Sequence, residues 1–145
     1  MAQTITDTKP KVLEPGQSRV AWHINPDGTR VEVPGSTIIH GEHVTIEPDV
    51  KLGFGVQIFG EVHLLTGAEI GNWCRIDGCT VDNSRLGDNT IAEQSSVKDS
   101  QIGEHNWIRP DSTILRDVIS GYGATIGPNV IADDVEIKIN EWYQG

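Results

Sequence analysis

From Gly41 onward an aliphatic residue returns every six positions, at Ile46, Leu52, Ile58, Leu64, Ile70 and Ile76. A helix repeats its apolar face every three or four residues and a lone half-buried strand every two, so this register belongs to neither alone. Val44, Val50, Val56, Val62, Ala68 and Cys74 precede these residues by two positions. Each hexad therefore offers one large and one small side chain to a common interior, with Gly, Glu or Asp at the turns between. Three hexads make one coil of about eighteen residues: three short strands around a triangle, with coils stacked at about 4.8 Å.

The stretch from Ile70 to Asp117 sharpens this pattern into three near-copies of a sixteen-residue unit, 70–85, 86–101 and 102–117. Within the first two copies the aliphatic gaps run six, five, five, so one or two corners are tightened. Offsetting by sixteen aligns Ile70, Leu86 and Ile102 in one interior ladder, Ile76, Ala92 and Ile108 in a second, and Val81, Val97 and Thr113 in a third. Outward on the first side stand Arg75, Ile91 and Trp107, with Trp73, Asn89 and His105 beside them. Ile91 and Trp107 side by side make an apolar patch, and with Trp73 they mark an expected partner surface.

The flanks carry no such repeat. Residues 1–18 are polar, include Pro10 and Pro15 and have no period, which predicts a flexible tail. Residues 19–35 read as strand, Asn25-Pro26-Asp27-Gly28 turn, strand: a hairpin that caps the open end of the repeat occupying 36–145. After Asp117 the period fails, and eight residues, 118–125, pass before Ile126 restores it. That segment reads as a corner insertion presenting Tyr122 between two glycines to a ligand. The last six residues, 140–145, are too few for another coil.

A chain of 145 residues fits one all-β domain. Its formal charge of −10 disfavours nucleic acid and anionic membranes, which attract basic surfaces. No run reaches the roughly 20 apolar residues of a membrane span. The N-terminus lacks the apolar core of a secretory signal, so retention in the cytoplasm is the expectation. Register sends Cys74 to a small interior site and Cys79 outward; both are read as packing residues, without disulfide or zinc. Of the five histidines, His105, beside Asn106 and the Trp107 face, is best placed to act as a general base. No metal site is expected.

The I-G-x-N-x-x-I phrase at 70–76 resembles the hexapeptide-repeat superfamily. That resemblance implies a left-handed parallel β-helix of about six coils, against the usual right-handed crossover preference, and association as a homotrimer. The hexapeptide-type carbonic anhydrases, with their zinc-binding histidines, carry a G-H-G-A-like corner that this sequence lacks. The tracts Val81-Asp82-Asn83-Ser84-Arg85-Leu86-Gly87-Asp88 and Val97-Lys98-Asp99-Ser100-Gln101-Ile102-Gly103-Glu104 resemble β-helical domains of sugar nucleotidyltransferases. The closest resemblance, over about 36–138, is to the C-terminal domain of bifunctional UDP-N-acetylglucosamine pyrophosphorylase/glucosamine-1-phosphate acetyltransferases. There an Arg before Pro and the Lys of V-E-x-K help hold the sugar phosphate, which makes Arg109 and Lys138 the implied anion binders.

The departures are also informative. A nucleotidyltransferase domain and the later coils bearing that family's acetyl-transfer His, Tyr and Asn are not found in this sequence, so the expectation is a repeat scaffold without much of the catalytic equipment. Three functions follow: a trimeric module binding a sugar phosphate or nucleotide sugar, a non-catalytic trimeric scaffold, or a small acyltransferase using acetyl-CoA and a His general base.

Overall fold

The six-residue period becomes three parallel sheets wrapped around one interior. The computed structural model describes residues 19–111 and 113–145; the tail expected over 1–18 lies outside the described residues. The first side has seven strands, among them Arg75–Asp77, Ile91–Glu93, Trp107–Ile108, Thr125–Ile126 and Trp142–Tyr143. The second and third sides have six each, giving a parallel β-solenoid of about six turns. Among the described residues there is no helix.

The interior ladders follow from the hexads. Ile58, Ile76, Ala92, Ile108 and Ile126 stack along the first side, all fully buried. Leu52, Ile70, Leu86 and Ile102 stack along the third. Each fully buried Leu or Ile contributes about 1.5–3 kcal/mol relative to an exposed one, so the stacked ladders dominate the stability of the solenoid.

Three sequence expectations are corrected. The second-side ladder is Val81, Val97 and Leu115, because Thr113 pairs with Ser95 instead. Leu115 comes seven positions after Ile108, whereas Val97 comes five after Ala92, so the chain from Ile108 to Thr113 is two residues longer than its counterpart from Ala92 to Ser95. Nor is 118–125 an insertion: Val118 and Ala124 are interior, Ile119 and Ser120 form a third-side strand, and Ser120 fills the ladder place next to Ile102. The period only seemed lost because a serine stands where the pattern calls for an aliphatic residue. Finally, Cys79 is buried, since the five-residue gap turns it into the corner interior ahead of Val81.

The interior corners hold small or polar side chains that reach the adjacent coil. The Cys74 thiol donates to Gly87 O at 3.1 Å, the Thr90 hydroxyl to Gly103 O at 3.0 Å and the Asn106 amide to Gly121 O at 2.8 Å. Such bonds keep buried polar groups satisfied while stapling one coil to the next. Ser120 joins them, donating to Asn106 Oδ1 at 2.6 Å and accepting the Gly103 N–H at 3.1 Å.

The predicted hairpin is present as β1 (Val20–Ile24) and β2 (Arg30–Pro34). Val31 and Val33 point into the core, and Asn25 seals the first strand of the second side. Its amide oxygen accepts the Ile46 N–H at 2.8 Å and its NH2 donates to Ile46 O at 2.9 Å. One side chain thereby takes the place of a neighbouring strand.

Candidate functional site

The outer surface of the first side is where the chain spends aromatic residues on solvent. Arg75, Ile91, Trp107, Thr125 and Trp142 stack in one outward column. Pairing of Ala92, Ile108 and Ile126 places Asp77, Glu93, Arg109 and Gly127 in the column beside it. The residues predicted for a partner surface are exposed: Trp73 at 64%, Ile91 at 39% and Trp107 at 41%. Among them Ile91 and Trp107 are direct strand neighbours.

Arg109 sits at the C-terminal end of this face. Its guanidinium carbon lies 5.0 Å from the Trp107 ring centroid and 5.7 Å from that of Trp142, within cation–π range of both. The Trp142 indole donates to Gly127 O at 3.0 Å. Gly127 has φ +93°, and a Cβ there would meet the Thr113 hydroxyl at 2.4 Å, so a side chain is excluded beside the arginine. Glu93, the carboxylate next to Arg109 in its column, accepts the Trp107 indole N–H at 2.7 Å. Among the described residues Arg109 Nε is buried without a hydrogen-bond partner.

The corner leading into the first side carries the other predicted residues. Trp73, Asn89 and His105 occupy equivalent corner positions, each bonded through its backbone N–H to the preceding coil. Their φ angles are +60°, +59° and +55°. The left-handed region suits Asn, Asp and Gly, and among the described residues eight of the eleven non-glycine residues found there are Asn or Asp. Trp73 and His105 are exceptions, held in a costly conformation with their side chains outward. The Trp73 ring covers Gly55, where a Cβ would come within 2.1 Å of it. His105 meets the Tyr122 ring at 4.8 Å, tilted by 39°. Tyr122 is thus exposed at an ordinary corner beside the histidine, not on an inserted loop.

Lys138 is placed differently. It follows the third-side strand Glu136–Ile137 at the corner into the first side, whereas Arg109 leaves the first side at its opposite edge. One chain therefore does not bring the two predicted anion binders together, and Lys138 is exposed with its backbone N–H donating to Glu141 Oε1 at 2.9 Å. Two shallow grooves along the third side, lined by residues such as Lys51, Glu69, Arg85 and Asn83, touch neither Arg109 nor His105. Among the described residues no group of three or more His, Cys, Asp or Glu is placed to hold a metal ion. They include no helix long and apolar enough to cross a membrane.

Sequence reasoning passed over Glu93, Gly127 and Trp142. The signal was present: Trp142 lies seventeen residues after Thr125, one coil length on, but the final residues were discounted as too few for a coil.

No family model matches the chain. It is 31% identical over 112 residues to the bifunctional protein GlmU of Prochlorococcus marinus, covering 77% of this chain and 24% of that one. It is 33% identical over 108 residues to the GlmU of Clostridioides difficile, covering 73% and 22%. The chain spans about a quarter of the length of the curated relatives it matches. A solved structure, a variant of GDP-perosamine N-acetyl transferase from Caulobacter crescentus in complex with CoA and GDP-perosamine, aligns with 76% of this chain and 50% of that one. Its TM-score is 0.48 at 22% identity.

Proposed function

We propose that this chain, which belongs to the hexapeptide-repeat superfamily, is a trimeric sugar-nucleotide-transferase-like module that binds a sugar phosphate or nucleotide sugar through Arg109. The observation that carries this reading is the state of that arginine. A guanidinium is fully charged at neutral pH and offers five donors suited to phosphate. Here the adjacent carboxylate is committed to Trp107, and among the described residues no carboxylate forms an ion pair with Arg109. An arginine held between two rings with its charge unpaired is prepared for an external oxyanion. The sequence resemblance supports the same ligand class, since Arg109 matches the phosphate-holding Arg-Pro phrase.

Trimer assembly buries Trp73, Ile91 and Trp107 and sets the arginine at the edge of the subunit contact. Lys138, at the other edge of the first side, then reaches a ligand at Arg109 only from a neighbouring protomer. Calorimetric titration with UDP-N-acetylglucosamine and glucosamine 1-phosphate tests the binding: saturable heat with an affinity that Arg109→Ala lowers by about tenfold is the expected result. Unchanged binding in that variant refutes it. Light scattering at micromolar concentration tests assembly, and a monomer refutes the trimer.

A second reading, acyl transfer from acetyl-CoA with His105 as general base, is supported by the His105–Tyr122 contact and by the strained backbone that holds the imidazole outward. Acetyl-CoA turnover with amino sugars, lost in His105→Ala, is its test. A trimer that neither binds nor turns over these compounds is the scaffold.

A further inference from the structure

We infer that Trp142 is a positioning residue for Arg109, so that the last strand of the first side completes the anion site. This inference rests on the reading of Arg109 as the anchor for a sugar phosphate. An arginine side chain loses rotamer entropy on being fixed, and an exposed one gives that up at each binding event. Arg109 has already spent it. Trp107 stands in the same coil, and Glu93 fixes the Trp107 indole through its N–H. Trp142 stands two coils along the same column, with Thr125 between, and Gly127 O fixes its indole in the same way. Two rings, each tied by its own hydrogen bond, thus flank one guanidinium.

Gly127 makes the arrangement possible. It is the neighbour of Arg109 in the next coil, its lack of a side chain lets it pack against the Thr113 hydroxyl, and its carbonyl holds the second ring. Nε, on the stem side of the guanidinium, is buried, which leaves the terminal nitrogens for a ligand. Trp142 contributes no charge and acts only through the arginine it orients.

The test is a double-mutant cycle in the full chain, with glucosamine 1-phosphate as titrant in a calorimeter. Trp142→Leu is expected to weaken binding by about fivefold, the range of a partly exposed cation–π contact. Trp142→Phe, which keeps a ring, retains most of the affinity. Adding Trp142→Leu to Arg109→Ala costs nothing further, because the residue through which it acts is gone. A ligand-free readout accompanies the cycle: the Arg109 Nε–H signal exchanges slowly with water in the wild type and rapidly in Trp142→Leu.

Wild-type affinity in Trp142→Leu, or an equal loss on the Arg109→Ala background, overturns the inference while leaving Arg109 as the anchor. Wild-type affinity in Arg109→Ala removes the anchor and the inference with it. Absence of wild-type binding does the same for the ligand, and rapid Nε–H exchange in the wild type overturns the positioning role directly.

Discussion

Glu93 Oε1 accepts the indole N–H of Trp107 at 2.7 Å, and so the carboxylate nearest Arg109 in its column is directed at a ring instead of at the guanidinium. The pairing has an electrostatic consequence. Glu93 still repels an incoming phosphate, though water screens it. Glu93→Gln keeps an acceptor for the indole and removes the charge, so sugar-phosphate affinity should rise about two- to threefold in low salt and return to the wild-type value near 1 M salt. Titration at two ionic strengths checks this.

His105 occupies a backbone conformation that asparagine adopts at the equivalent place one coil earlier, Asn89. His105→Asn should therefore stabilise the fold by about 0.5–1 kcal/mol, read as a raised urea midpoint. Loss of acetyl transfer alongside that gain would identify the strain as the cost of function, whereas a destabilised variant would mean that the Tyr122 contact outweighs the backbone term.

Ser120 lies where the ladder pattern asks for an aliphatic side chain, and Ser120→Val looks like an improvement. It should instead destabilise the solenoid by about 2 kcal/mol, because it leaves Asn106 Oδ1 and the Gly103 N–H without partners in the interior. Urea unfolding of the two proteins measures the difference.

Burial pushes the thiols of Cys74 and Cys79 up to about 11. The unfolded chain releases these protons near its ordinary value of 9.0, while the folded chain retains them to about 11. Between those values the folded state binds more protons, so its stability is fully present below pH 9 and is lost as pH rises toward 11. Urea midpoints across that window should fall, and should fall less in Cys74→Ala. At pH 8 a thiol reagent should label neither cysteine until denaturant is added.

Ile91 and Trp107 meet on the outer face of adjacent strands. Ile91→Glu puts a charge in the centre of that patch without touching the interior. The expected outcome is a folded monomer by light scattering, with an unchanged circular dichroism spectrum; a trimer of wild-type mass would place the interface elsewhere.

The ladders were legible because six-residue spacing leaves little choice about what faces inward: Ile76, Ala92 and Ile108 could be stacked by counting. Counting failed where a corner changed length. The chain from Ile108 to Thr113 is two residues longer than its counterpart from Ala92 to Ser95, and the offset of sixteen therefore chose Thr113 over Leu115. It failed again at Ser120, where hydrogen bonds to Asn106 and Gly103 replace the apolar contact that the pattern registers. The outward stripe of Trp73, Ile91 and Trp107 was legible by the same register. The environment of Arg109 was not, since its partners come from Glu93, Gly127 and Trp142, far apart in sequence and joined only by the pitch of the coil. Lys138 shows the converse: adjacency in a family phrase gave no information about which corner it would occupy.

Asn25 has a consequence beyond the hairpin. By taking both backbone groups of Ile46, it makes that pole of the solenoid a poor template for an incoming strand. Growth by end-on stacking is thereby given a blocked direction, much as a capped polymer end is. Asn25→Leu should unblock it, and the change would show first in sedimentation, as concentration-dependent fibrous species.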